Sequence, residues 1–373
     1  MVYLDYSASC PVDNDVLELF SHTVSQYYAN PNSNHKLGKE ALKLIEKATV
    51  NISKNLGILP EEIIYTSGAT ESNNLAVFGA LERYKNRGKH VIVSALEHNS
   101  IISPITNMQD KGYTVDILPI LKDGTVDLDK LKSLLRSDTI LVSICSIDSE
   151  LGIRQPIEEI AELLRDYPNC IFHTDASQAI GKVKIDFSNV DLVTINPHKF
   201  YGLPGFGILI KKKKISLKPI IYGGKSTTIY RSGTPLTAFV VSTDLALERA
   251  ILYQNDRYKY VNDIYNNLIK ELNKFEMVHI NNTNKSCPFI INISIKGISS
   301  VDFVKSLENY NVYVSVKTSC CPTNKPSKLV YALTHDKNLS LSTIRISLSH
   351  LTTSDEISEF LEAFRKTYYE YIK

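Results

Sequence analysis

The middle of the chain alternates short apolar runs with longer segments of helical period. Apolar runs of strand length stand at 63–65, 91–93, 115–118, 140–144, 170–174 and 192–195. Between them, 70–84, 128–135 and 157–164 space their apolar residues as helices do. Strands alternating with helices predict an α/β fold, a mainly parallel sheet covered by helices on both faces. Ligands of such sheets sit beyond the carboxyl ends of the strands, so residues that directly follow strands carry the interest. The stretch 236–275 is long and helical, with only Asn255-Asp256 as a weak interruption. It connects to a second unit that reads strand (289–295), helix (301–307), strand (312–316), loop, strand (344–348), helix (354–371). That is an α+β pattern with a smaller sheet, and the boundary is expected near residue 250.

Composition narrows the class without naming a function. The 373 residues suffice for a full core without disulfide or metal staples. Lys+Arg 42 against Asp+Glu 40 leaves a net charge of +2, so no global field draws nucleic acid or a membrane surface. The apolar runs are too short for a transmembrane helix. Met1-Val2-Tyr3-Leu4-Asp5 does not read as a secretory signal. Six cysteines are too sparse for a disulfide framework, and a reducing, cytoplasmic setting is expected. The densest charge block, Lys211-Lys212-Lys213-Lys214, follows the apolar stretch 206–210. It reads as a strand end capped in solvent rather than a nucleic-acid patch.

Three stretches after strands could carry chemistry. His198-Lys199 follows the run 192–195 and precedes the glycine-rich 202–207. A lysine held there out of water has a lowered pKa and a free amine for a Schiff base, although a surface lysine in a turn would look the same. Asp175, in His173-Thr174-Asp175-Ala176-Ser177-Gln178, also follows a strand. Pyridoxal 5'-phosphate (PLP) needs a lysine for its aldehyde and an acid beside its ring nitrogen. Gln178 could bond the ring hydroxyl, and the alternative for Asp175 is a helix cap. Thr66-Ser67-Gly68-Ala69-Thr70-Glu71 follows 63–65 and opens a helix, a place that suits a phosphate and equally a plain N-cap.

These stretches belong to a longer series. In chain order it includes Tyr3-Leu4-Asp5-Tyr6-Ser7-Ala8, Ser67-Gly68-Ala69-Thr70-Glu71-Ser72-Asn73-Asn74, Glu97-His98 and Gly152-Ile153-Arg154-Gln155-Pro156. It continues with Asp175-Ala176-Ser177-Gln178, His198-Lys199-Phe200-Tyr201-Gly202, Arg231-Ser232-Gly233-Thr234 and Ile344-Arg345-Ile346-Ser347. Each is weak alone. Together they resemble the cysteine desulfurases, members of the class V aminotransferase-like, fold-type I PLP enzymes, over essentially the whole chain. The resemblance implies a large PLP domain (16–250) with a seven-stranded sheet and a small C-terminal domain (251–373). It also implies an N-terminal segment (1–15) packed with the small one. It implies Lys199 as the Schiff-base lysine, Asp175 at the ring nitrogen, Gln178 at the ring hydroxyl, and His98 stacked on the ring and handling protons. Ala69, Thr70 and His198 would hold the phosphate, with Thr234 donated by the other subunit of a homodimer. Arg345 would pair with the substrate carboxylate, a task for a bidentate fork. Asn34, in a family-like segment after Asn30-Pro31-Asn32-Ser33, would lie near the substrate.

The family's nucleophilic cysteine sits on a loop before the last strand. Here Thr318-Ser319-Cys320-Cys321-Pro322-Thr323 occupies that place. Counting from 312–316 selects Cys320; counting back from Pro326-Ser327 lands on Ser319, so this loop is about one residue shorter than the family pattern. A buried small hydrophobe or a metal ligand are the structural alternatives for the pair. No C-x-x-C partner for a metal is present, and no metal is expected. Cys10 stands at a family threonine, while Cys145 and Cys170 read as core. Three departures mark a divergent branch: Ser149 where an asparagine meets the ring oxygen, Asn196 where a serine binds phosphate, and Gly223-Gly224-Lys225-Ser226 in place of a Gly-Gly-x-Gln-Glu run. The implied activity converts L-cysteine to L-alanine, leaving a persulfide on Cys320 for an acceptor protein in iron–sulfur assembly or in tRNA or cofactor thiolation. A selenocysteine lyase or other PLP β-lyase is the rival within the fold, and a non-catalytic assembly scaffold the rival outside it.

Overall fold

The computed structural model describes residues 1–224, 226–317 and 325–372. Lys225 and the segment 318–324, which holds Cys320 and Cys321, lie outside the described residues.

A short strand β1 (Val2–Tyr3) opens the chain. The central sheet is then built from β2 (Ile63–Thr66), β3 (His90–Ser94), β4 (Thr114–Leu118), β5 (Thr139–Ser143), β6 (Ile171–Asp175), β7 (Leu192–Ile195) and β8 (Gly207–Lys211). Its order is β2-β8-β7-β6-β5-β3-β4, and β8 alone runs against its neighbours. The α/β architecture is the one the alternation predicts, and the seven strands are the number the resemblance implies. Six of the strands are buried on both faces, whereas β4 at the edge leaves Ile117 exposed. The carboxyl ends of β2, β3, β5, β6 and β7 meet at one rim.

The second sheet has the order β12-β10-β9, from β9 (Val278–Ile280), β10 (Ile290–Ile295) and β12 (Thr343–Ser347), all antiparallel. The helices Ser300–Glu308 and Ser354–Tyr371 pack on one another beside it. A capping box starts the last helix: Glu356 N donates to Thr353 Oγ1 (3.2 Å), and Thr353 N to Glu356 Oε2 (2.8 Å). The helical connector is two helices, Thr237–Leu252 and Gln254–Leu272, meeting at Tyr253. The N-terminal segment crosses to this unit: β1 pairs in parallel with β11 (Val312–Tyr313), and Ser347 N donates to Leu4 O (2.7 Å).

Three expectations need correction. The strand read at 312–316 is only Val312–Tyr313; Ser315 then pairs alone with Arg345. The loop before the last strand carries two short helices, Lys328–Thr334 and Lys337–Leu341. The lysine run is a solvent cap only in its second half: Lys213 and Lys214 are exposed, whereas the first two lysines are covered. Lys211 is buried at the end of β8, where Nζ donates to Ile215 O (2.8 Å) and lies 5.0 Å from the Tyr230 ring centre. Lys212 approaches Glu62 (3.7 Å), and Lys214 pairs with the buried Asp191 (2.7 Å).

Candidate active site

Beyond β7 a single tight turn, Pro197–Lys199, swings Lys199 across the rim. Its Nζ donates to two backbone carbonyls of the N-terminal segment, Ser7 O (2.7 Å) and Ala8 O (2.5 Å). Burial lowers its pKa to about 8, helped by the positive charges of Lys182 and Arg345 and opposed by Cys10 and Asp175. A surface lysine would not behave so.

Asp175 ends β6 and is clamped on both oxygens. Asn73 Nδ2 donates to Oδ2 (2.8 Å), and Ser177 N to Oδ1 (2.9 Å). No helix follows, so the capping alternative falls away. Asn73 also donates to Ser100 Oγ (2.8 Å), which lies 2.8 Å from His98 Nδ1. Ser100 N donates to that same Nδ1 (3.1 Å), so the neutral ring carries its proton on Nε2. Burial, with Lys199 adding to it and Asp175 opposing, lowers the His98 pKa and favours that neutral form. Directly beneath, Glu97 is fully enclosed and its carboxyl is pushed up to about 8 by burial.

The turn after β2 opens the helix Ala69–Tyr84. Gly68 sits at φ +151°, with no side chain capping the helix. Gly207 at the start of β8 lets this turn approach, since a Cβ there would fall 2.6 Å from the Gly68 carbonyl carbon. Ser67 N donates to Glu71 Oε2 (2.8 Å), and Arg231 Nε to Glu71 Oε1 (2.9 Å).

Arg345 on β12 reaches the same rim although it is 1% exposed. One terminal nitrogen donates to Ser149 O (2.8 Å), the other to Asp5 Oδ1 (2.8 Å), while Nε has no partner among the described residues. Asp148 shapes the loop that delivers Ser149, accepting from the backbone N–H groups of Glu150 (2.9 Å), Leu151 (2.6 Å) and Ile153 (2.8 Å).

These elements enclose a cavity of about 260 Å³. Ala69, Thr70, His98, Ser149, Asp175, Gln178, Asn196, His198, Lys199 and Arg345 all line it. Asn34 and Thr234 are exposed and do not; Cys320 lies outside the described residues. Cys145, read as core, is buried in an apolar cluster and also lines the cavity. Ser7, Asn73, Ser100, Asp5 and Asp148 carry the geometry without having been singled out as site residues. Ser7 acts through its carbonyl, which leaves no side-chain signature. Asn73, Asp5 and Ser7 stood in quoted motifs, and that was the available signal.

The walls fit PLP. The buried Ser177 Oγ and Asn196 Oδ1 lack partners among the described residues, as polar atoms do where a ligand completes them. The helix start offers uncapped N–H groups at one end of the cavity, and the amine and the clamped carboxylate offer the two groups the ring requires.

The aminotransferase class-V family model matches residues 2–360. The chain belongs to this family. Its members use PLP. Two relatives named cysteine desulfurase IscS illustrate the similarity. That of Dictyoglomus turgidum is 34% identical, covering 98% of this chain and 94% of the relative. That of Vibrio vulnificus is 36% identical, covering 98% and 92%. Among solved structures, a NifS-like protein superposes with a TM-score of 0.93 at 30% identity, over 100% of this chain and 99% of the other. Class-V membership thus spans both sheets and the rim between them.

Proposed function

We propose that this chain is a PLP-dependent cysteine desulfurase that converts L-cysteine to L-alanine and carries the sulfur as a persulfide on Cys320. The observation that carries this is one cavity holding an amine of lowered basicity, a doubly clamped carboxylate and a buried arginine, in a chain similar over its length to enzymes of that name. When bound, PLP supplies a ring that accepts electrons from the substrate's Cα. Lys199 would hold its aldehyde, Asp175 its ring nitrogen and Gln178 its ring hydroxyl. Ala69, Thr70, Asn196 and His198 would hold the phosphate. Arg345, which lines the cavity, takes the substrate carboxylate. His98 exchanges protons through Nε2. The Cys320 thiolate takes the substrate sulfur; the Cβ–S electron pair stays on the carbon skeleton, which gains a proton and leaves as alanine.

A homodimer fits this reading. Thr234, exposed in one copy beside exposed Ile229 and Leu236, would reach the phosphate of a second copy. The sulfur acceptor would be a protein of iron–sulfur assembly or thiolation. A cytoplasmic setting agrees with the buried free thiols of Cys10, Cys145, Cys170 and Cys287. No described helix is long and apolar enough to cross a membrane.

Two results are expected. Protein stripped of PLP will take it up faster as pH rises, with a midpoint near 8, because Lys199 loses its proton there. Borohydride will then fix a pyridoxyl group on Lys199, located by mass spectrometry. An adduct on another lysine, or a midpoint near 10, refutes the assignment. With PLP and L-cysteine the protein will release alanine, and will release sulfide when a reductant is added. Cys320→Ser will lose transferable sulfur, while Cys321→Ser will keep it. Nearby Lys317 and Lys325 favour a thiolate on this loop. The reverse pattern would move the nucleophile to Cys321. Full alanine release by Cys320→Ala would favour a β-lyase.

A further inference from the structure

Lys182 is the least explained charge in the molecule. It is 7% exposed, and no carboxylate of the described residues pairs with it. Such a cation costs stability unless it is used. The turn after Asp175 puts it there: Gly181 takes φ +75°, where a Cβ would lie 3.0 Å from Ala250 Cβ, and Lys182 N donates to Ala179 O (3.0 Å). Lys182 then reaches back along the turn, and its Nζ donates to Gln178 Oε1 (2.6 Å).

That bond decides which way the Gln178 amide faces. With Oε1 accepting from Lys182, whose pKa burial lowers, Nε2 points the other way and donates to Ser7 O (2.8 Å). Ser7 O is the carbonyl that also receives the Lys199 amine (2.7 Å). The four groups form a continuous chain: Lys182 ammonium, Gln178 amide, Ser7 carbonyl, Lys199 amine. The Gln178 amide has a second N–H beyond the one given to Ser7 O, and the residue lines the cavity.

We propose that Lys182 is a positioning residue for the PLP site: by holding Gln178 Oε1 it fixes the amide toward Ser7 and the cavity, and so sets the place of the Lys199 amine. This rests on the reading of Lys199 and Gln178 as cofactor residues. Lys182 touches neither substrate nor cofactor. The charged and titratable groups that act on Lys199 are Lys182, Arg345, Cys10 and Asp175, with the imidazoles of His98 and His198 beside them. Lys182 itself faces Cys10, Cys287, Arg345, Lys199 and His198, none of them an anion at neutral pH, since burial keeps both thiols protonated.

The test uses the PLP-loaded full chain. Lys182→Met is expected to weaken PLP binding about tenfold and to move the pH midpoint of the visible cofactor absorbance upward by about one pH unit. Its thermal midpoint should stay level or rise, because a buried unpaired charge has gone. Lys182→Arg should restore most of the affinity. In a Gln178→Leu background, Lys182→Met should add less than twofold to the loss, since the residues act in series. Losses that simply multiply, or an absorbance midpoint and PLP affinity unchanged in Lys182→Met, would overturn the proposal. If Lys182→Met fails to fold, Lys182→Gln takes its place in the same cycle. Borohydride trapping in the unsubstituted protein is the separate control: its failure at Lys199 would sink the cofactor assignment, whereas its success beside an unmoved midpoint would sink Lys182 alone.

Discussion

Lys199→Ala is expected to bind PLP without fixing it and to lose turnover by a factor on the order of 10³, within the range for a lost acid–base group. The expectation follows from where the amine sits. Its pKa of about 8 leaves about half of it neutral at pH 8, and the Ser7 and Ala8 carbonyls hold it in the cavity that Asp175 also lines. A methyl group removes the amine together with most of its methylene stem and leaves the backbone of the turn in place. Borohydride should then trap nothing at position 199, while alanine release falls to the limit of detection and the melting temperature barely moves. Restoration of part of the rate by added small primary amines would show that the missing group is the base itself. Turnover within tenfold of the original would refute Lys199 as the amine the reaction needs.

The second large effect is expected at Arg345. Arg345→Lys should raise KM for cysteine steeply and leave the PLP absorbance unchanged. The guanidinium is buried, lines the cavity and donates from its two terminal nitrogens to Ser149 O and Asp5 Oδ1, with Nε unpartnered among the described residues. A substrate carboxylate pairs with this planar fork, which a single ammonium cannot reproduce. Losing a desolvated charge pair costs about 2–5 kcal/mol, roughly 30- to several-thousand-fold in kcat/KM. Steady-state kinetics with spectra recorded on the same samples separates the two readouts. An unchanged KM would mean that another cation holds the carboxylate.

Much of this was legible along the chain because its causes are local. Strand and helix periods depend on neighbouring residues, and the last helix is announced by Thr353 and Glu356 in its capping box. Elements whose cause is not local were missed. The helix Asn99–Gln109 contains Pro104, which reads as a breaker. The helices at 328–341 are short, and packing rather than period holds them. Lys211 looked like a solvated charge because a four-lysine run usually is one. Only the partner carbonyl of Ile215 and the Tyr230 ring explain its burial.

The sequence by itself determined the order of strands and helices and which polar residues directly follow a strand. In a parallel sheet that is enough to put Asp175, His98, Thr70 and Lys199 at one rim, because every crossover returns the chain to the same end. Tertiary structure alone decided the rest. The N-terminal carbonyls of Ser7 and Ala8 meet a lysine about 190 residues away, Asp5 faces Arg345 from 340 residues away, and Lys182 ends beneath Gln178 rather than in solvent. A backbone carbonyl has the same chemistry in every residue, and a lysine is written alike whether buried or exposed. Neither leaves a mark in the sequence until the chain folds and removes the water around it.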